Sequence, residues 1–414
     1  VDTSAEPPEC LPALPQQQHL LSAPTPAVCP PIGCALAPHL PNLEQCDQPV
    51  VACDLASAQR CLADWCSRFP GVHASTSAQT LGSWPLTHVL ALSGRVSFRA
   101  YSKSDLNAAV SAGVPGHAIL LANPCKTRGL ARHARRLGVG VTVFDSEPEL
   151  ARLAAAWPDV ELLLLLAASP RCHRLGARPE EAPRLLAAAR RHGLRVAGVA
   201  VWFGDDNECE GDGGGEVNSD VDAEWAAAAS TACGTLALAR RLGHANANVV
   251  DLGCLSTGAL AGRALPAFAN AVGIGNGDCQ PRLLCDLTPA LLAESVVMAT
   301  RVLAKAAAEQ PGCGGYSYRL SGPGLGGQLC GLFSREGEGG GCSGSRDGVP
   351  SRLADCGGDP LNLVLPELSV GDWLLWRGLR ACPTAARLMH CLFTGELMET
   401  KPAACLEEEP LPTA

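Results

Sequence analysis

The feature that most constrains the fold is a succession of short apolar runs, each followed by a segment with helical spacing. "AILLA" (118–122), "VGVTVFD" (139–145), "VELLLLLA" (160–167), "RVAGVAVWF" (195–203), "NVVDLG" (248–253) and "RLLCDL" (282–287) are strand-length and near-continuously apolar, as parallel strands buried on both faces must be. Between them, "RGLARHARRLG", "SEPELARLAAAWP", "RPEEAPRLLAAARRHG" and "DAEWAAAASTACGTLALARRLG" begin near Ser, Asp or Pro and end at Gly or Pro, the punctuation of helices. A strand–helix unit recurring roughly every 25 residues, over about 200 residues, favours a (β/α)8 TIM-like barrel over a doubly wound sheet. After Leu303 the texture changes to short strands among Gly-rich turns, as in "GGYSYRLSGPGLGGQLCGLF" and "LPELSVGDWLLW", which predicts a second, mainly β domain.

Composition narrows the function classes. Of the 414 residues 47% are apolar, enough for a large buried core. No apolar run approaches membrane-span length, since Val160–Ala168 is only strand-length. The net charge of -9 gives no reason to expect nucleic acid. The 21 cysteines show no C-x-x-C pair and no zinc-type spacing, so reduced thiols and no metal site are expected. With no secretory signal visible, the expected location is cytoplasmic. Lysine occurs only at Lys103, Lys126, Lys305 and Lys401, which limits any chemistry that needs an amine. Against the acidic trend, Lys126, Arg128, Arg132, Arg135 and Arg136 form a basic cluster with no carboxylate among them.

The strings "ANPCK", "FDSEPEL", "VAGVAVWFG", "VVDLG" and "LPELSVGDWLLW", with "VSFRAYSKSDL", stand in the order and spacing of the eukaryotic ornithine decarboxylase and antizyme inhibitor family, which this chain resembles from about Pro49 to Trp376. The resemblance implies a barrel of the pyridoxal phosphate (PLP) type followed by a β-sandwich domain that the N-terminal strand also joins. The domain expectation is a Pro-rich, loosely ordered arm over 1–48, the barrel over 49–300, the sandwich over 301–396 and a tail over 397–414.

Membership does not settle activity, because each chemical position has to carry the right group. Decarboxylation by PLP needs a lysine amine to hold the cofactor. The family places it in "PFYAVKCN" on the first barrel strand; counting back from Phe98 reaches Thr80, and counting forward from Phe69 reaches Gln79. No lysine precedes Lys103. Where the family has "FHVGSG" this chain has "VWFGDD", which puts Trp202 in place of the stacking imidazole and Asp205 where a serine meets phosphate. The turn "GGGFPG" keeps only Gly253 and Gly258. "EPGR" has become "DLTP", so Asp286 remains to meet the pyridine ring while Pro289 replaces an arginine. Cys356 and Asp359 in "CGGD" correspond to the cross-interface "CDGLD" with a residue deleted, and Arg174 matches a phosphate-shell arginine. No bound cofactor is therefore expected, although active family members use PLP.

Three functions follow as alternatives. The first is a non-catalytic, antizyme-inhibitor-like regulator of polyamine synthesis and uptake, with the basic cluster as the antizyme-binding surface, since antizyme docks in the family on the segment after "ANPCK" and complementary charge steers association. The second is a PLP-dependent decarboxylase of ornithine or another amino acid with a rearranged site. The third is a decayed paralogue with neither activity. Because the interface strings "CDGLD" and "GPT" are poorly kept, a monomer or weak homodimer is expected. The carboxylates of "FDSEPEL" are read as helix-start charges favoured by the dipole.

Overall fold

The computed structural model describes residues 35–36, 39–40, 48–167, 175–202, 221–254, 268, 281–307, 315–322, 328–333, 348–354, 361–379, 387–391 and 397–399. Eight strands, β2 (Val72–Ser77), β3 (Val96–Ala100), β4 (Ile119–Leu121), β5 (Val141–Phe144), β6 (Glu161–Ala167), β7 (Arg195–Trp202), β8 (Val249–Cys254) and β9 (Arg282–Asp286), close into a barrel in chain order. All neighbours are parallel, and β9 returns to β2 with Leu283 beside Val72 and Asp286 beside Ser75. The helices that cover it include α1 (Leu55–Arg68), α2 (Ala78–Leu81), α3 (Trp84–Leu92), α4 (Lys103–Ser111), α5 (Arg128–Arg136), α6 (Glu147–Ala156), α7 (Ala182–Arg191), α8 (Val221–Arg241) and α9 (Thr288–Ser295). A (β/α)8 architecture followed by a β domain is thus the fold.

Helix starts are fixed by short polar side chains that satisfy orphan backbone donors. Asp54 accepts from the Ser57 amide at 3.0 Å to begin α1. Ser102 and Asp105 form a reciprocal capping box at α4, and Thr127 accepts from the Leu130 amide at 3.1 Å to begin α5.

Side-chain alternation along the strands divides the barrel into two cores. Outward-facing residues such as Phe98, Leu121, Phe144, Leu164, Val199, Val250 and Cys285 are buried under the helices in one continuous apolar cluster. Inward-facing Leu120, Val143, Leu163, Leu165 and Ala200 fill the interior on the β4–β7 side, with Trp202 packed against them. On the β8–β9–β2–β3 side the interior is polar, lined by Ser75, Arg99, Asp251 and Asp286.

The β domain begins with β10 (Val296–Ala307), which follows α9 without a break, so the change of architecture falls at Val296. It contains β11 (Tyr316–Leu320), β12 (Gln328–Phe333), β13 (Val349–Ala354), β14 (Leu361–Leu365), β15 (Trp373–Arg377), β16 (Arg387–Cys391) and β17 (Leu397–Glu399). The N-terminal β1 (Val50–Asp54) inserts between β10, antiparallel, and β16, parallel. Val51, Cys53, Val296, Met298, Leu374 and Trp376 on one face merge with the barrel's outer core. Val50, Ala52, Val297, Ala299, Trp373 and Leu375 on the other face pack against Leu36 and Leu40. At these two fully buried leucines the Pro-rich arm, expected to be loosely ordered throughout, is seated on the sheet.

Candidate functional site

The polar sector of the barrel interior converges on Arg99. Its Nη1 donates to Asp251 Oδ2 at 2.9 Å and its Nη2 to Asp251 Oδ1, a bidentate pair. Its Nε donates to Ser75 Oγ at 2.8 Å and lies 3.9 Å from Asp286 Oδ2. Arg99, Asp251 and Asp286 are all buried. Burial opposes the charge on the Arg99 guanidinium, but Asp251 and Asp286 overcome this and hold its pKa well above the ordinary arginine value. Burial pushes the Asp286 carboxyl above the usual carboxylate range, while Arg99 and Thr288 pull it partly back.

Backbone and hydroxyl groups of the scaffold engage one oxygen of each carboxylate. Asp286 Oδ1 accepts from the Thr288 amide at 2.8 Å and from Thr288 Oγ1 at 2.6 Å. The Thr288 hydroxyl also accepts from the Ser77 amide at 3.0 Å and shares a hydrogen bond with Thr76 Oγ1 at 2.9 Å. Gly253, held at φ 64° where a glycine is favoured, donates its amide to Asp251 Oδ1 at 3.0 Å. One oxygen of the Asp286 carboxylate expected to meet a pyridine ring, Oδ1, and the Gly253 amide are thus engaged in this internal network, while Asp286 Oδ2 has only the 3.9 Å approach of Arg99 Nε.

The amine position is equally informative. Gln79 and Thr80 do not lie on the first barrel strand, as the alignment required, but one turn beyond it on α2. The Thr80 hydroxyl turns back to donate to Ser77 Oγ at 3.0 Å. Among the described lysines, none reaches the interior. Lys103 is exposed at the start of α4, its Nζ beside Gly129, and Lys305 pairs with Glu367 at 2.5 Å in the β domain. Lys126 is buried, with its Nζ 2.9 Å from Glu149 Oε1 and donating to the carbonyls of Asn123 at 2.8 Å and Val143 at 2.7 Å. An ammonium with three oxygen partners has no lone pair to offer. Among the described residues, none therefore offers the amine that PLP needs. Trp202 packs against the apolar interior on the β4–β7 side. Arg174, Asp205, Gly258, Cys356 and Asp359 lie outside the described residues.

The basic cluster is corrected in one respect. Lys126 does not belong to it, because desolvating an ammonium in that pocket is tolerable only with Glu149 beside it, and both are buried. Burial lowers the Lys126 pKa below the ordinary lysine value, against the pull of Glu149. Glu149 is correspondingly more than a helix-start charge, since it also accepts from Arg152 Nε at 3.0 Å. Replacing Lys126 by Met is expected to lower unfolding stability by about 3 kcal/mol, read as the midpoint of urea denaturation, without altering the surface arginines.

Those arginines do share a surface. On α5 Leu130, Ala131 and Ala134 face the core, while Arg128, Arg132, Arg135 and Arg136 are exposed. Arg135 is paired with Asp159 at 3.0 Å, both partners open to solvent. Arg128 and Arg132 meet no carboxylate among the described residues. Thr127 starts the helix and the strong segregation of charge from the apolar stripe orients it.

Arg99 and Asp251 are the residues that motif reading passed over. The signal was present in "VSFRAYSK" and "VVDLG", where a charged residue stands inside a strand-length run.

Comparison with known proteins agrees with this fold. Residues 55–210 match the family model described as pyridoxal-dependent decarboxylase, pyridoxal binding domain. The chloroplastic ornithine decarboxylase of Nicotiana glauca is 26% identical over 219 residues, covering 51% of this chain and 48% of that protein. The ornithine decarboxylase of Caenorhabditis elegans is 29% identical over 170 residues, covering 39% and 40%. The matched segments thus span about half the length of these relatives or less. Among solved structures, the arginine decarboxylase of Paramecium bursaria Chlorella virus superposes with a TM-score of 0.68 at 19% identity, covering 84% of this chain and 95% of its own. The lysine/ornithine decarboxylase of Vibrio vulnificus gives a TM-score of 0.67 at 19% identity, covering 84% and 96%. Among the described residues no helix is long and apolar enough to cross a membrane.

Proposed function

We propose that this ornithine decarboxylase-like chain, whose residues 55–210 match the pyridoxal-binding domain of PLP-dependent decarboxylases, is a non-catalytic regulator that binds antizyme in the cytoplasm. Binding would spare the active decarboxylase and raise polyamine synthesis and uptake. The observation that carries this reading is the Arg99 cluster. A guanidinium clamped by Asp251 and reaching Asp286 stands in the barrel interior, where a decarboxylase needs a lysine amine and a free carboxylate. Surface arginines on α5 support the partner assignment, because a cationic helix face is suited to steer an acidic partner.

The test is calorimetric titration with purified antizyme against the natural chain and an Arg132→Glu/Arg135→Glu variant. The reading expects binding by the first and a loss of about 100-fold or more in the second, as reversing two interfacial charges costs several kcal/mol. Equal affinity in the two proteins would remove α5 from the interface, and no binding by either would remove antizyme as the partner. The same chain is proposed to be a monomer or a weak homodimer. Sedimentation velocity at micromolar concentration is expected to show mainly monomer, and a tight dimer would contradict this.

A further inference from the structure

Around the N-terminal rim of the barrel, arginines are generally met by carboxylates. Arg195, the first residue of β7, lies 3.8 Å from Glu161, the first residue of β6. Arg135 lies 3.0 Å from Asp159, just before β6. One sector of the same rim breaks the pattern. β9 opens with Arg282, β3 is preceded by Arg95, and β2 between them carries His73. The registers, Val72 beside Leu283 and Ala74 beside Val96, bring the two arginines to either side of the His73 strand. None of the three side chains has a hydrogen-bond or ion-pair partner among the described residues.

These three groups line one open groove of about 410 Å³, bordered by Cys66 near the end of α1 and by Phe69 and Pro70 of the turn that leads into β2. No carboxylate lines it among the described residues. The two guanidinium charges repel one another, and burial, with the charge of Arg282 second, holds the His73 pKa below its ordinary value. The clustering runs against the chain's net charge of -9, so it is not the overflow of a basic protein. Guanidinium forks bind oxyanions in bidentate fashion, and phosphate suits them best. The volume lies in the lower part of the roughly 300–1,000 Å³ range of small-molecule sites, with room for a phosphate and a small carrier group.

We propose that the N-terminal rim between β9, β2 and β3 is an oxyanion site that takes a phosphate group, free or borne by a small metabolite. It is separate from the Arg99 cluster and from α5, and does not depend on the antizyme reading. An anion held between Arg95 and Arg282 draws a proton to His73 and removes the repulsion that the bare groove carries.

The test measures the melting temperature of the full chain in sodium phosphate against sodium chloride at matched ionic strength, followed by titration with inorganic phosphate and with ribose 5-phosphate. The natural chain and the Arg132→Glu/Arg135→Glu variant should both be stabilised by phosphate beyond chloride. An Arg95→Gln/Arg282→Gln variant should lose that difference and bind about tenfold or more weakly, as loss of charged hydrogen bonds implies. An Arg95→Lys/Arg282→Lys variant, which keeps charge without the fork, should fall between. Tighter binding of ribose 5-phosphate than of inorganic phosphate assigns the site to a phosphorylated metabolite, and the reverse assigns it to the free ion. Equal stabilisation by chloride and phosphate, or a phosphate effect undiminished in the Arg95→Gln/Arg282→Gln protein, overturns the proposal.

Discussion

Replacing Arg99 by Met is expected to lower the unfolding free energy by about 3–5 kcal/mol, the cost of leaving buried charge unpaired. The guanidinium is the shared counter-ion of Asp251 and Asp286, both buried, and methionine offers neither charge nor donors. Part of that loss is recoverable by acid, and the sign follows from the direction of the Asp286 shift. In the natural chain burial already raises this carboxyl above its ordinary 3.8. A group with a raised folded-state pKa contributes stability that is present below its unfolded value and fades as pH rises through the folded one. Removing Arg99 raises it further, so the deficit of the variant is greatest at neutral pH and narrows as pH falls toward 3.8. Urea titrations of both proteins across that window measure it. A deficit below about 1 kcal/mol, the scale of an exposed pair, would mean that the cluster is solvated and does not hold the interior together. Arg99→Lys, which keeps the charge without the bidentate geometry, is expected to lose less than Arg99→Met.

Supplied with PLP and ornithine, the protein is expected to release carbon dioxide no faster than a protein-free control, and borohydride is expected to fix no cofactor to the chain. The contrast with a competent enzyme is about 10⁶-fold or more in rate. The reason is not only that Gln79 and Thr80 lack an amine. Those positions sit on α2, past the end of the strand, and the strand's own last residue, Ser77, lies beside Arg99 in the register. An amine introduced by Ser77→Lys alone therefore meets a like charge and finds Asp286 already bonded to Thr288. That single variant should stay inactive. Cofactor retention by Ser77→Lys would show that the interior is more open than Arg99 makes it.

How much of this was legible in the sequence depended on whether a strand faced two apolar layers. β4 to β7 were visible as apolar runs because both of their faces are largely hydrocarbon, and β8 and β9 because the outward Val250, Leu252, Leu283 and Cys285 outnumber the inward Asp251 and Asp286. β2, "VHASTS", and β3, "VSFRA", were not visible as strands from apolar content, since one face of each lines the polar sector with Ser75, Ser97 and Arg99. Their polarity records the same substitution that fills the site. Lys126 misled for the opposite reason. Sequence shows a charge beside other charges, whereas its burial depends on Glu149, which lies across the next strand and on a different helix. The network at Asp286 was hidden likewise, because Arg99 and Asp251 come from strands far apart in the chain. The exposed face of α5 was legible in full, its spacing alone separating Arg128, Arg132 and Arg136 from Leu130 and Ala134.

The central claim is that this barrel performs no amine chemistry and acts by occupying antizyme. One assay reaches both halves: carbon dioxide release from carboxyl-labelled ornithine by an active ornithine decarboxylase held inhibited by antizyme, with this protein titrated in, and with this protein alone as the parallel sample. The expected result is recovery of the decarboxylase rate as the protein is added, no release from the protein by itself, and no recovery with the Arg132→Glu/Arg135→Glu variant. Release by the protein alone, or a decarboxylase that stays inhibited at every concentration, would contradict it.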